Sequence, residues 1–371
     1  MINDLVLSFD LKESALGHLT SAVQFGFIIG TLVYAIFTIA DRFSPSKVFF
    51  ISALLGSLFN LGIIWEANTF GSLLSLRFLS GFFLAGIYPV GMKIAADYYE
   101  KGLGKSLGYI VGALVIGTAF PHLLKGIGSS YPWQYVLIAT SILASLGGFL
   151  MIGLVPNGPF RKGIKSTNFS AFFRVFRKQE FRSATFGYLG HMWELYAFWA
   201  FVPILLKKHS LANPLAEVNI PLLSFLIIAI GGLASALSGH LAQAAGTKKV
   251  VSIVLFLSAI CCLISPFLLT HSSRELFIGF LLFWGMVVIA DSPLLSSLVA
   301  QSAPSEMRGT ALTIVNCLGF SITIISIQLI ASISLWSDSS YTYSLLSLGP
   351  LLALIALGRQ NSGFMQTRKR A

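Results

Sequence analysis

The chain has 371 residues, 55% of them hydrophobic and only 11% charged, with 31 Phe, 34 Gly and a formal net charge of +11. A mean hydropathy of +0.81 is more apolar surface than a water-soluble core absorbs, which excludes an ordinary soluble domain and leaves the bilayer as the solvent. The basic excess does not point to nucleic acid, because it gathers in alternate connections between apolar segments.

Eleven long apolar stretches follow in chain order. Five lie at 16–40, 48–65, 70–95, 106–124 and 133–155, and six at 184–206, 220–243, 250–270, 276–300, 309–333 and 341–357. Each is long enough to cross most or all of ~30 Å of hydrocarbon at ~1.5 Å per residue. All read as helices, since backbone polar groups in lipid need partners within their own segment, so the fold class is an all-α membrane protein. The longest polar interruption, 156–182, divides the chain into a bundle of five spans (1–155), a linker, and a bundle of six (183–371). In the linker Phe169, Phe172, Phe173 and Phe176 share helical spacing, with Arg174, Arg177 and Lys178 on other faces. That pattern predicts an amphipathic helix on an anionic inner leaflet; the alternative is a solvated linker that happens to carry Phe.

Placing residues 41–47 in the cytoplasm and alternating from there puts eighteen of the 25 Lys and Arg inside and five outside, with Arg77 and Lys93 within spans. By the positive-inside rule the linker and C-terminus are then cytoplasmic in a multi-pass cell-membrane protein, with a bacterial inner membrane as the expected setting. No cleavable signal is visible, because residues 1–13 carry Asp4, Asp10 and Glu13 without a basic start. Cys261, Cys262 and Cys317 fall inside apolar spans without metal-ligand spacing and read as packing residues. No metal and no cofactor is expected.

The two parts repeat one another at an offset of about 200 residues. Gly81 and Pro89 match Gly285 and Pro293, and Gly104, Ser106 and Leu107 match Gly309, Ala311 and Leu312. After the first stretch come Ala40, Asp41, Arg42 and Lys47; the counterpart is Gly239-His240-Leu241-Ala242-Gln243-Ala244-Ala245-Gly246-Thr247-Lys248-Lys249. At these residues the chain resembles the major facilitator superfamily, whose cytoplasmic motif after the second helix of each half reads Gly-x-Leu-Ala-Asp-Arg-x-Gly-Arg-Arg/Lys. The second copy keeps both glycines and two basic residues but carries Gln243 for the acid, and the first keeps Asp41 and Arg42 but has Phe37, Ser44, Pro45 and Ser46 at other marked places. The resemblance covers nearly the whole chain and implies a two-bundle helical fold that works by rocking around a central site. It makes Asp41, Arg42, Gly239, Gly246 and Lys248 a cytoplasmic gating motif. It also implies six helices per half, so residues 1–15 correspond to the outer loop after an absent first helix, and Met1 is expected to be an internal methionine of a longer frame. The competing readings are a real eleven-span variant and a truncated, inactive transporter.

Ionisable side chains inside spans cost ~2.5 to 3.5 kcal/mol to insert, so each present needs a reason. Arg77, in Arg77-Phe78-Leu79-Ser80-Gly81, resembles the family's fourth-helix arginine motif associated with proton coupling; the alternative is snorkelling to the outer headgroups. Lys93, near the inner end of the same stretch, reads first as a snorkelling residue, and with Arg77 it would otherwise make a cavity attractive to anions. His191 and Glu194 stand three apart on one side of a helix, Glu194 near the bilayer midplane where transporters place coupling-ion sites. A carboxyl there suits proton uptake and release, against a purely structural interhelical hydrogen bond. Trp193, Tyr188 and Tyr196 could line the same cavity. Asp291, beside Pro293, is expected to pair with a basic residue across the bundle. Gly26 and Gly30, and Gly104, Gly108 and Gly112, form small-residue stripes for close helix contact.

The sequence therefore reads as a secondary active transporter of a small solute, proton-coupled, with an anion plausible and a faint likeness to cyanate and nitrate-type permeases. Its partners are the solute, the proton and the lipid bilayer, with no nucleic acid and a monomeric state expected. The alternative is a drug or metabolite efflux antiporter, disfavoured because Gly117 is followed by Thr118 and not by proline. An enzyme is not expected, since no nucleophile with a base and no paired-acid metal motif is present.

Overall fold

The computed structural model describes residues 5, 8–11, 14–99, 101–127, 132–161, 176–212, 218–337 and 339–368, and among these the regular structure is helical without strands. In chain order the helices are α1 (Ser14–Ile36), α2 (Ile39–Arg42), α3 (Pro45–Gly62), α4 (Phe70–Leu84), α5 (Tyr88–Tyr98), α6 (Leu103–Ile127) and α7 (Trp133–Leu154). Then come α8 (Gln179–Ala212), α9 (Ile220–Ala245), α10 (Thr247–His271), α11 (Arg274–Ala290), α12 (Ser292–Ser302), α13 (Arg308–Trp336) and α14 (Leu348–Arg368). Ten segments are long and apolar enough to cross a membrane, and the shorter apolar helix 21–36 makes the eleventh. The eleven apolar stretches of the sequence are thus all helical.

Two of those stretches are broken in the same place. The segment from Phe70 divides into α4 and α5 just before Pro89, and the segment from Arg274 divides into α11 and α12 at Asp291, just before Pro293. Proline lacks the N–H that an unbroken helix needs and collides with the preceding turn, so each repeat kinks where its proline sits. The expectation of single continuous helices at 70–95 and 276–300 is corrected accordingly.

The chain forms two compact units that interleave in sequence: residues 1–100, 130–171 and 303–320 in one, 101–129, 172–302 and 321–371 in the other. In the first unit α1 lies on α4 at backbone distance. A Cβ on Gly26 would stand 2.0 Å from Phe78 O, and one on Gly81 2.0 Å from Val23 O. Only glycine permits that approach, and Phe27, Tyr34, Ala85 and Val90 close the core beside it. In the second unit α6 and α9 meet in the same way: a Cβ on Gly108 would stand 2.7 Å from Ser235 O, and one on Gly112 2.7 Å from Gly232 O. Most of the predicted amphipathic linker helix, including Phe169, Phe172 and Phe173, lies outside the described residues. Phe176 packs edge-on against Phe181 of α8, ring centroids 5.0 Å apart.

Candidate functional site

Three polar constellations hold the ionisable residues that the sequence singles out. In the second unit, Glu194 lies near the middle of the 34-residue α8 and is 2% exposed. Three donors converge on its Oε1: Ser258 Oγ at 2.6 Å and Cys262 Sγ at 3.2 Å, both from α10, and Trp284 Nε1 at 2.7 Å from α11. No cation lies within ion-pair distance of Glu194 among the described residues. Cys262 is therefore a hydrogen-bond donor and not only a packing residue, a role that the sequence did not signal. One turn back on α8, His191 Nδ1 stands 2.8 Å from Asp291 Oδ1, both buried. The two atoms are within ion-pair range without the alignment of a straight hydrogen bond, and His191 Nε2 has no partner among the described residues. Asp291 caps the end of α11 and accepts at its carbonyl from Leu294 and Leu295 N–H, so the proline break fixes the carboxylate opposite α8.

Trp193 and Tyr196 follow other directions of the same helix. Trp193 Nε1 donates to Leu345 O at 3.2 Å, and Tyr196 meets Trp199 edge-on at 5.1 Å. Neither makes a direct hydrogen bond to the Glu194 carboxylate.

In the first unit Arg77 on α4 donates from Nε to Leu19 O at 3.4 Å and has no carboxylate within ion-pair distance among the described residues. It is a half-buried cation with a carbonyl contact alone.

Also in the first unit, Asp41 lies in the short α2 between α1 and α3, fully buried. Its carboxylate accepts from Gly309 N at 3.1 Å, Thr310 N at 2.7 Å and Thr310 Oγ1 at 2.7 Å, and Lys93 Nζ stands 3.6 Å away. Gly309 and Thr310 open α13, so the acid fills the anion site that unpaired N–H groups and the helix dipole create. A Cβ on Gly309 would stand 2.7 Å from Asp41 Oδ1, which explains the glycine. Burial pushes the Asp41 carboxyl above the usual carboxylate range; the Lys93 ammonium and the Thr310 and Gly309 donors oppose that rise. Lys93 bridges onward to Asp97, one turn along α5. Lys93 is 0% exposed, so its snorkelling reading is corrected: a paired ammonium stays buried where a lone one would reach for water. The i,i+4 spacing of Lys93 and Asp97 was the available signal.

A strap of chain leaving α7 is fastened around this network. Ser46 Oγ donates to Val155 O at 2.7 Å, Tyr98 OH to Pro156 O at 2.7 Å, Ser44 Oγ to Asn157 Oδ1 at 2.9 Å, and Phe160 N to Asp97 O at 2.9 Å. Arg42 is exposed, its guanidinium over the Phe43 ring at 5.6 Å. Of the second motif copy, Gly239 lets α9 approach α6, with a Cβ 2.8 Å from Gly104 O. Gly246 joins α9 to α10 at φ +91°, and Lys248 is exposed. Among the described residues no group of three or more His, Cys, Asp or Glu could hold a metal ion.

A chain of interrupted, glycine-stitched spanning helices in two repeats, with ionisable groups buried at mid-span, defines a polytopic transporter. The family model described as Major Facilitator Superfamily matches residues 1–327, and the chain belongs to that superfamily. It is thus a membrane transporter and not an enzyme. No curated protein matches its sequence significantly. Among solved structures, a proton:xylose symporter, XylE, superposes with a TM-score of 0.78 at 15% identity, over 96% of this chain and 90% of that one. The E. coli fucose:proton symporter FucP gives 0.72 at 15% identity over 96% and 93%. The human organic anion transporter MFSD10 gives 0.71 at 17% identity over 96% and 88%. At these identities the likeness is one of fold.

Proposed function

We propose that the chain is a proton-coupled secondary transporter of a small anionic solute, in which bundles 1–155 and 183–371 alternate access across the membrane and the 156–182 linker stays cytoplasmic. The observation that carries the reading is Glu194: a mid-span carboxylate with three donors on one oxygen, no cation at ion-pair distance among the described residues, and a second ionisable pair, His191 and Asp291, one helical turn away. A group that only fastened helices would not need a charge whose burial costs several kcal/mol. A carboxyl that accepts a proton in one state and releases it in another uses that cost. Arg77, a half-buried guanidinium without a counter-ion among the described residues, supplies the attraction for an anion. Proton coupling and organic anion transport both occur, by name, among the fold neighbours.

The test is solute-driven proton movement in vesicles holding the purified chain, with pyranine inside to read pH. Small anions added outside should drive proton entry, Glu194→Gln should abolish coupling while preserving the three hydrogen bonds in most part, and Arg77→Gln should remove the anion response. Coupled flux surviving in Glu194→Gln would sink the proton assignment. Flux driven by cationic drugs and not by anions would replace this reading with the efflux antiporter.

A further inference from the structure

We infer that the second unit carries a site for one anionic phospholipid, in a groove between α8 and α14 with Arg182 at its polar end. The groove is a cavity of about 820 Å³. Its α8 wall is a helical stripe, Gln179, Arg182, Phe186, Leu189 and Trp193, and α14 faces it with Leu348, Leu352 and Ile355. The stripe from Gln179 to Trp193 spans fourteen residue steps, ~21 Å, which is more than the depth of one leaflet of a ~30 Å core. Gly190 and Gly349 make the floor, each within 2.3 Å of where the other's carbonyl would meet a Cβ, so no side chain rises there to divide the groove. Phe186, Leu352 and Ile355 are exposed along it.

Polarity is confined to one end. Gln179, Arg182 and Ser183 lie there, and Ser183 already spends its hydroxyl on Ala356 O. Arg182 holds the carbonyls of Phe176 and Arg177 with Nη1 alone, which leaves Nη2 and Nε to donate. Arg177 and Lys178 add two exposed positive charges in the same turn against one from Glu180. A cation-rich head followed by ~10 Å of unbroken apolar wall from Phe186 to Trp193 is complementary to a single amphiphile with a phosphate head and the upper part of an acyl tail. The excess of positive charge selects an anionic headgroup over a zwitterionic one. The Arg182 end lies next to the basic linker, the side that the positive-inside rule assigns to the leaflet richer in anionic lipid.

The full chain, purified in mild detergent and mixed with equal phosphatidylglycerol and phosphatidylcholine, is examined by native mass spectrometry. A monomer retaining one phosphatidylglycerol, at least about tenfold over phosphatidylcholine, is expected. Arg182→Ala should bring the ratio near one, and Arg182→Lys should restore much of it. Leu352→Trp, at an exposed wall position, should block retention of both lipids without perturbing the fold seen by circular dichroism. Quenching by a brominated-chain phosphatidylglycerol should fall in Trp193→Phe by more than in Trp65→Phe. Any of three results overturns the inference: equal retention of both lipids by the wild type, an unchanged ratio in Arg182→Ala, or a dimer with no lipid, which would make the groove a contact between copies. All are read without transport, so they stand apart from the proton-coupling test.

Discussion

Replacing Asp41 by Asn should loosen the start of α13, and the size of the effect follows from its contacts. Asn keeps one oxygen for the donors of Gly309 and Thr310 but turns an N–H₂ toward another, leaving a buried clash of donors that costs ~1–3 kcal/mol. It also removes the charge at the N-terminus of α13, ~0.3–2 kcal/mol. Lys93 keeps Asp97, so the ~3–5 kcal/mol of a fully broken buried pair is not incurred. A loss of ~3 kcal/mol is about a hundred-fold in the equilibrium between held and released α13. Cys317 reports it: the residue sits two turns along α13, half-buried, with Sγ 3.6 Å from Ile28 O of α1, while Cys261 and Cys262 are buried. Maleimide labelling of the purified protein should therefore accelerate about a hundred-fold in Asp41→Asn, the fast phase vanishing in Cys317→Ser. A rate within twofold of wild type, in Asp41→Asn and Asp41→Ala alike, would refute the idea that this carboxylate holds α13.

Lys93→Met leaves Asp41 and Asp97 buried without their cation and should lower the melting temperature in detergent by the equivalent of ~3–5 kcal/mol. Adding Asp97→Asn should recover part of the loss, and a single variant that melts like wild type counts against the network. Trp284→Phe keeps the ring but removes one donor to Glu194, so a loss of ~1–3 kcal/mol is expected by the same melting assay, with no change arguing that the contact is incidental. Gly112→Leu drives a Cβ to 2.7 Å from Gly232 O and should scatter the monodisperse size-exclusion peak, whereas Gly117→Leu, with nothing within 4 Å of its Cβ, should leave it intact. Equal profiles for the two glycine variants would discount the close crossing of α6 and α9.

How much of this was legible in the sequence depends on the range of the interaction. Helices were legible because the bilayer forces backbone bonds into each segment, and glycine stripes such as Gly108 and Gly112 because spacing along one helix fixes one face. His191 and Glu194 were visible as a pair for the same reason. What could not be read was what stands opposite. Ser258, Cys262 and Trp284 are 64 to 90 residues from Glu194, and nothing in their local sequence marks a serine, a cysteine or an indole as its donor. Thr310 lies 269 residues from Asp41. Lys93 was misread because insertion cost alone predicts snorkelling; only the neighbouring acids make burial the cheaper state.

The repeat explains why one end of the protein is charged and its counterpart is not. Stepping 204 residues from Lys93 and Asp97 lands on Ser297 and Gln301, and 202 from Asp41 lands on Gln243. The i,i+4 contact is kept with its direction reversed: Gln301 Nε2 donates back to Ser297 Oγ at 2.8 Å, whereas Lys93 Nζ donates forward to Asp97. Gln243 Nε2 stands 2.7 Å from where Gly102 would carry a Cβ, just before α6 and two residues ahead of Gly104, the repeat partner of Gly309. The first unit thus holds the start of α13 with a carboxylate and its paired ammonium, where the matching positions of the second unit carry neutral amides and a hydroxyl. Parting neutral partners leaves groups that water or a rotated hydroxyl satisfies, whereas parting Asp41 from α13 strands a buried charge. The first unit's contact is therefore the costlier of the two to part, and the amide at Gln243 confines that cost to a single helix start, that of α13.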